Sequence, residues 1–355
     1  IVVQDNSDEA SLKDQISELG YENIVYNYTA GVVSFVDNFD LAIQLSNGKY
    51  AMIIGDDDGI TSLALKVAKW ADNNDICCVK PALSFIYFWP GSKVFDHDDN
   101  GILHIYKYNG NITKYDPREG VKSLLGKSCQ DYLNNELIKL YHGIVRRDLL
   151  EAVRNRTGRY VGGLSPDIYL SVALSLMSKN EAFSINVPLT ISGICTGSGS
   201  SQSATGEHTG SLEEAPHFRG HTDYKWNNKI PKFYSVETIW GDSAMAAVSE
   251  INPDYAEYYE PETLTFRCLR KYPLYKAEIL SNYLKNGGNK LKLGMFFFSK
   301  VINKLFSIVK HEQKEKLQIK NNLDTIIEAS KECELWLEEH EEMLGGADRR
   351  IDQER

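Results

Sequence analysis

The sequence lacks three features, and each absence narrows the class of protein. It has no run of about 18 apolar residues, which excludes an ordinary transmembrane helix, and no signal-peptide pattern. Basic residues are in deficit: 39 Lys and Arg stand against 49 Asp and Glu, for a net charge of −10. Because a phosphate backbone needs a basic surface, we expect no nucleic-acid partner.

Cysteine pairs with CxxC spacing are also absent. The six cysteines are dispersed, apart from the adjacent Cys77 and Cys78, which lie in an apolar run. This usage predicts reduced thiols and a cytoplasmic protein.

What is present, in the first half, is an alternation of strand-like and helix-like segments. Strands are predicted at 1–3, 23–28, 50–54 and 75–83, and helices at 9–19, 38–45 and 62–71. Further helices are predicted at 131–153 and 166–177, with a strand at 183–192 that Pro188 confines to a sheet edge. The alternation predicts an α/β fold with a doubly wound, mostly parallel sheet, followed by a C-terminal helical region.

Three consecutive carboxylates carry the clearest chemical signal. Asp56, Asp57 and Asp58 follow the strand predicted at 50–54 and have a glycine on each side. Neighbouring carboxylates repel one another, and Mg²⁺ or Mn²⁺ would relieve that repulsion and leave positions open for the phosphate oxygens of a nucleotide diphosphate. The alternative is a solvated acidic turn without a ligand.

Asp167 is the second candidate, because it follows Pro166 in the first turn of a predicted helix. The helix dipole favours an ionised carboxylate there, which is what a general base requires. The alternative is an aspartate that only stabilises the helix.

Three blocks in this order resemble family 2 glycosyltransferases. Residues 38–59, which contain SNGKY and IIGDDD, resemble the block with the DxD motif of that family. Residues 1–8 are similar to its strand ending in an aspartate that contacts the nucleotide base, here Asp5. Residues 160–167 resemble the segment that delivers the general base, here Asp167.

The resemblance implies a GT-A domain over 1–210, an acceptor-side or connecting segment over 211–285 and a helical tail over 286–355. It also implies an inverting sugar transfer from a nucleotide diphosphate donor, with a UDP-sugar favoured. The acceptor would be the hydroxyl of a saccharide or a lipid-linked acceptor in surface polysaccharide or glycoconjugate synthesis.

The same resemblance assigns roles to individual residues. Asp5, Asp56 and Asp57 would bind the donor, and Asp56, Asp57 and Asp58 would hold Mn²⁺ or Mg²⁺. Some transferases of this fold add a late histidine to the metal shell, which makes His208 a further candidate ligand, the alternative being a solvated or acceptor-facing histidine.

Two departures from the family pattern bear on these roles. Gly55 stands where the family commonly has the first aspartate of Asp-x-Asp-Asp. The metal aspartate is therefore either Asp57, flanked by the other two, or the pair Asp56 and Asp58. The chain also begins on Ile1 without Met, and we expect the first strand and loop of the domain to lie upstream.

The tail differs in character from the rest of the chain. Residues 289–310 carry five Lys and no acidic residue, with apolar residues at steps of three and four. This pattern predicts a basic amphipathic helix that lies either on an anionic membrane surface or on the domain itself. Residues 319–344 follow a seven-residue repeat, which predicts a short coiled coil or helical hairpin through which the chain could self-associate.

Two other classes of function fit the same residues. One is a non-catalytic scaffold built on a degenerate transferase domain. The other is a different metal-dependent nucleotide enzyme, such as a nucleotidyltransferase or phosphohydrolase, since these also use carboxylates at strand ends.

Overall fold

The structure is a computed structural model, and it describes residues 1–10, 12–92, 100–196, 209–212, 218, 224–307 and 316–340. Most of its β-strands belong to two five-stranded sheets. Across the first sheet the strands are β3 (Tyr50–Ala51), β9 (Ile144–Arg146), β5 (Cys78–Pro81), β10 (Ala182–Ile185) and β8 (Ile112–Tyr115). Across the second they are β14 (Lys316–Asn321), β7 (Ile102–Tyr106), β6 (Phe85–Phe88), β11 (Thr190–Ile194) and β4 (Gly59–Ile60).

Two short pairs of strands complete the described sheets. The parallel pair consists of β1 (Val2–Asp5) and β2 (Val25–Tyr28), and the antiparallel pair of β12 (Thr209–Gly210) and β13 (Tyr234–Ser235). The predicted α/β class is confirmed. The predicted predominance of parallel strands is wrong for the described residues, where three of ten strand pairings are parallel.

Helices surround the two sheets. They are α1 (Leu12–Glu18), α2 (Phe35–Leu45), α3 (Leu63–Asn73), α4 (Pro117–Gly126), α5 (Arg147–Thr157), α6 (Pro166–Met177), α7 (Val236–Ile251), α8 (Glu262–Lys271), α9 (Lys276–Lys285), α10 (Lys290–Ser307) and α11 (Ile326–Glu339). Short 3₁₀ helices occur at Tyr132–Asn134, Pro253–Tyr258 and Pro273–Tyr275.

Local sequence explains where several helices begin. The Ser34 hydroxyl accepts a hydrogen bond from the Asp37 amide at 3.0 Å, which caps α2. Pro166 occupies the first turn of α6, where its missing N–H costs nothing. A capping box formed by Thr325 and Glu328 starts α11.

Two hydrophobic cores hold the layers together. The first packs α4, α5, α6 and α7 against the first sheet, and α6 is buried along most of its length. The second lies between the second sheet, α3 and α11. Among the described residues, no helix is both long and apolar enough to cross a bilayer.

Pro188 has a different role from the one predicted. It lies between β10 and β11, which belong to different sheets, so the strand predicted over 183–192 is two strands. The first of these, β10, is paired on both sides and is not an edge strand. Because proline lacks the N–H of a ladder, the chain changes sheets at this point.

The helix predicted over 131–153 is also wrong in its first part. Residues 144–146 form β9, and the helix α5 starts only at Arg147. His142 has a φ of +63°, and a Cβ on Gly143 would lie 2.1 Å from the Lys139 carbonyl oxygen. These two residues impose a sharp turn that a continuous helix does not accommodate.

The heptad-like pattern of the tail does not produce a coiled coil in the described residues. Ile319 lies in β14, which pairs antiparallel with β7, and the helix begins at Ile326. Trp336 and Leu337 are buried in the second core. This part of the tail therefore completes the second sheet and covers it.

Candidate functional site

The acidic turn is held in place by a segment far along the chain. The Ile53 amide donates to the Leu140 carbonyl oxygen at 3.0 Å, and the His142 amide donates to the Ile53 carbonyl oxygen at 3.0 Å. This strand-like pairing fixes the chain just before Gly55. The three aspartates that follow are in three different environments.

Asp58 is the buried member of the acidic run, with a side chain only 2% exposed. One of its carboxylate oxygens accepts hydrogen bonds from the Gly55 amide at 2.8 Å and the Tyr141 hydroxyl at 2.6 Å. The other accepts from the Gly193 amide at 2.8 Å. A carboxylate in charge-assisted bonds to three segments of the chain organises the turn around it.

Asp57, in contrast to Asp58, lies among groups that disfavour its charged form. Burial raises the pKa of its carboxyl group, and the negative charges of Asp58 and Asp56 raise it further, against a hydrogen bond with Cys195. Asp56 is exposed. The turn thus places three carboxylates side by side, and a bound metal ion would relieve the repulsion between them.

The described residues do not form a metal site with three protein ligands. Over the part of the chain that the structure describes, no three His, Cys, Asp or Glu side chains converge as a metal-binding group. Asp57 and Asp56 fit a more open arrangement, because Mg²⁺ is commonly held by one or two carboxylates, with substrate phosphates and water as the remaining ligands.

Two glycines make the close packing of this turn feasible. A Cβ on Gly193 would lie 1.7 Å from the Asp57 carbonyl oxygen, so only glycine fits there. A Cβ on Gly55 would lie 2.7 Å from the Tyr141 hydroxyl and 2.9 Å from an Asp57 carboxylate oxygen. A larger residue at position 55 would therefore require the side chains of Tyr141 and Asp57 to shift.

Trp89 supports the same turn from a neighbouring strand end. Its indole N–H donates to the Asp57 carbonyl oxygen at 3.0 Å. This bond and the Gly193 contact were not predicted from the sequence. A glycine in the middle of a β-branched strand is the signal that marks such a close backbone approach.

Tyr141 and His142 lie beside the acidic turn. Burial raises the pKa of the Tyr141 hydroxyl, and the charges of Asp58, Asp167 and Asp57 raise it further. The His142 Nε2 lies 3.6 Å from an Asp58 oxygen, and its Nδ1 has no hydrogen-bond partner among the described residues. Burial lowers the pKa of His142 despite the nearby Asp58 carboxylate, which favours the neutral ring.

Asp167 lies in the first turn of α6, as predicted. Burial raises the pKa of its carboxyl group, and this outweighs a hydrogen bond to its own backbone amide and the charge of Lys139. The expected preference for the ionised form at a helix start is therefore overridden by desolvation. The charge of Asp167 also raises the pKa of the Tyr132 and Tyr141 hydroxyls, and Tyr141 is the residue that donates to Asp58.

The segment before Asp167 is rigidly held. The Asp40 carboxylate accepts from the amides of Tyr160 at 2.7 Å and Val161 at 3.0 Å. The Ser243 hydroxyl accepts from the amides of Leu164 at 3.0 Å and Ser165 at 2.9 Å. Helices α2 and α7 thus fix the approach to α6 from both sides.

Asp5 is the last residue of β1. Its carboxylate accepts hydrogen bonds from the Ser7 amide at 2.9 Å, from the Ser7 hydroxyl and from the Tyr26 hydroxyl at 2.7 Å. Burial raises the pKa of Asp5, but these hydrogen bonds outweigh it, and the pKa is below its usual value. The carboxylate is ionised and held in one orientation.

His208 lies outside the described residues, so its role as a ligand stays a prediction. Arg147 donates to the Ser46 hydroxyl at 2.6 Å and caps the end of α2, and Arg146 pairs with Asp75 and Asp148. Both arginines therefore have structural partners.

Comparison with known proteins shows a remote likeness to solved structures. No family model matches the sequence, and no curated protein matches it. Among solved structures, the chain is similar to the crystal structure of S. aureus TarS 1–349 in complex with UDP-GlcNAc. The TM-score is 0.41 and the identity 12%, over 81% of this chain and 83% of that one. A likeness this low does not assign a function to this chain.

Proposed function

We propose that this protein is a metal-dependent glycosyltransferase of the GT-A type that moves a sugar from a nucleotide diphosphate, with a UDP-sugar favoured, to an acceptor hydroxyl. The observation that carries the proposal is that Tyr141, whose hydroxyl donates to Asp58 of the acidic turn, also lies within the electrostatic influence of the half-buried Asp167. The aspartates of the turn would hold a metal ion that contacts the donor phosphates, and Asp167 would accept the proton of the acceptor hydroxyl.

On the donor side, Asp57 and the exposed Asp56 would hold Mn²⁺ or Mg²⁺, and Asp58 would keep the turn in shape. When bound, the ion would neutralise negative charge that develops on the departing diphosphate. Asp5 is proposed to contact the nucleoside, and its hydrogen bonds to Ser7 and Tyr26 would pre-orient it for that contact.

On the acceptor side, Asp167 is proposed as the general base. It would take the proton from the acceptor hydroxyl as that oxygen attacks the anomeric carbon of the sugar. The new C–O bond forms while the bond from the anomeric carbon to the diphosphate oxygen breaks, which inverts the anomeric configuration. The raised pKa of Asp167 makes it a stronger base than an ordinary aspartate.

We also propose a cellular compartment and a class of acceptor. All six cysteines are free thiols, which agrees with a reducing compartment, and we propose a cytoplasmic enzyme. A saccharide or lipid-linked acceptor, in surface polysaccharide or glycoconjugate synthesis, follows from the family resemblance.

The donor site is tested by calorimetric titration of UDP with and without Mn²⁺. We expect the parent chain to bind UDP in a Mn²⁺-dependent manner, and Asp57→Ala to lose that dependence. The control is Asp14→Ala, which removes an exposed carboxylate from α1 and should bind like the parent. Absence of any UDP binding by the parent would favour the non-catalytic scaffold.

The base is tested separately. Asp167→Asn should bind UDP and Mn²⁺ normally but transfer sugar at least about a hundredfold more slowly, because only the proton acceptor is lost. Release of sugar or phosphate with water alone, independent of any acceptor, would instead identify a phosphohydrolase.

A further inference from the structure

Helix α10 carries apolar side chains on two opposite faces. On one face Leu293 is buried, and the rings of Phe296 and Phe297 pack against Phe266 of α8, with centroid distances of 5.9 and 4.6 Å. This face attaches the helix to the rest of the protein.

The opposite face has no such cover among the described residues. Leu291, Met295 and Phe298 are 72%, 59% and 69% exposed. At about 100° per residue, the three lie within about 60° of one another and roughly opposite Leu293 and Phe297. A helix with apolar residues on both sides requires a second apolar environment.

The charge around this stripe is the reverse of that of the whole protein. Residues 279–311 contain no Asp or Glu, in a chain whose net charge is −10. Their six lysines are at 285, 290, 292, 300, 304 and 310. Lys290 and Lys292 flank the stripe at about 100° on either side. Lys292 also pairs with Glu262 at 3.0 Å, and Lys290 is exposed.

We propose that the stripe formed by Leu291, Met295 and Phe298 binds an anionic membrane surface, with α10 lying in the plane of the lipid headgroups. The apolar side chains would enter the acyl boundary, and the flanking lysines would contact the acidic headgroups. The acidic remainder of the protein is repelled by such a surface, so attachment is confined to this helix. A second copy is a poorer occupant, because a two-fold contact would bring the lysines of both copies together.

The test is co-sedimentation of the full chain with vesicles. One set is phosphatidylcholine alone, and in the other about a third of the lipid is phosphatidylglycerol. We expect binding to the anionic vesicles only. A variant carrying Leu291→Ser, Met295→Ser and Phe298→Ser should partition at least about tenfold more weakly, since three exposed side chains lose their apolar contact.

Two further variants separate apolar from electrostatic contributions. Lys290→Gln should weaken binding by about fivefold, the equivalent of one lysine at the surface. Leu274→Ser is the matched control, because Leu274 is 95% exposed but lies outside α10, and it should bind like the parent. The substituted side chains are solvent-exposed, so circular dichroism spectra should be unchanged.

Either of two results would overturn the proposal. The first is equal binding of the triple variant and the parent to anionic vesicles. The second is a parent chain that binds neither vesicle type. If that parent chain is dimeric by light scattering and the triple variant is monomeric, the stripe is an interface between copies. These readouts do not involve sugar transfer, so they stand or fall independently of the proposed function.

Discussion

At the scale of single residues, the acidic run shows how identical side chains acquire different roles. Asp58 is buried and accepts hydrogen bonds from three segments, whereas Asp57 has a raised pKa and Asp56 is exposed. The buried carboxylate of Asp58 stabilises the turn, whereas burial and the neighbouring carboxylates disfavour the charged form of Asp57.

This division predicts opposite effects on stability and binding. Asp58→Ala leaves the Tyr141 hydroxyl and the Gly193 amide without their acceptor, which should cost about 3 kcal/mol or more of unfolding free energy. Asp57→Ala should leave stability unchanged or raise it, because a charge repulsion disappears. Urea denaturation of the two variants beside the parent provides the measurement.

The comparison is informative because both variants remove the same chemical group one residue apart. Equal destabilisation by the two would show that Asp58 has no special positioning role. A stable Asp58→Ala variant that loses only Mn²⁺ binding would instead make Asp58 a ligand.

At the scale of secondary-structure elements, the C-terminal segment belongs to the fold. Strand β14 extends the second sheet, and α11 packs Trp336 onto Phe85 and Tyr108, with ring centroids 5.8 and 5.4 Å apart. The Tyr87 hydroxyl also donates to the Leu323 carbonyl oxygen at 2.6 Å, which ties the connection between them to β6.

Removal of the Trp336 ring should therefore destabilise the whole protein. Trp336→Ala should lower the unfolding free energy by about 3–5 kcal/mol, because it leaves a cavity in the second core. Leu335→Ala, at the neighbouring exposed position, should change it by less than about 0.5 kcal/mol. Thermal melts of both variants test this, and a small effect of Trp336→Ala would mean that α11 is detachable.

At the scale of the whole molecule, one buried acid should make stability depend on pH. Asp242 of α7 is fully buried and accepts hydrogen bonds from the Asn227 amide at 2.7 Å and the Tyr224 hydroxyl. Burial raises the pKa of its carboxyl group from 3.8 to about 7. The folded protein therefore binds more protons than the unfolded chain between these two pH values.

Because the folded protein holds the extra proton, its stability decreases as the pH rises through this range. The stabilisation linked to Asp242 is complete below pH 3.8 and is lost as the pH rises to about 7. Asp242→Asn retains hydrogen-bonding capacity without the charge. Between pH 4 and pH 8, the unfolding free energy of the parent should therefore fall by on the order of 2–4 kcal/mol relative to that of the variant. Denaturation midpoints of the two proteins across this range test the prediction, and parallel curves would contradict it.

The local part of this architecture was predictable. The α/β class, the start of α6 at Pro166 and the acidic turn after an apolar segment all follow from neighbouring residues. Side-chain periodicity, a helix-start proline and a carboxylate run act over a few positions, so they are visible without the fold.

The rest was decided by contacts between distant segments. The bonds that bury Asp58 join residues 83 and 135 positions apart, and no local pattern identifies Tyr141 or Gly193 as partners. The assignment of β10 and β11 to different sheets and the pairing of β14 with β7 are of the same kind. A strand's periodicity shows which residues share a face but not which strand lies beside it, and a carboxylate's pKa depends on what surrounds it. The sequence alone therefore determined which groups are candidates for the chemistry, and only the tertiary structure decided which of them is buried and which neighbours shift their pKa values.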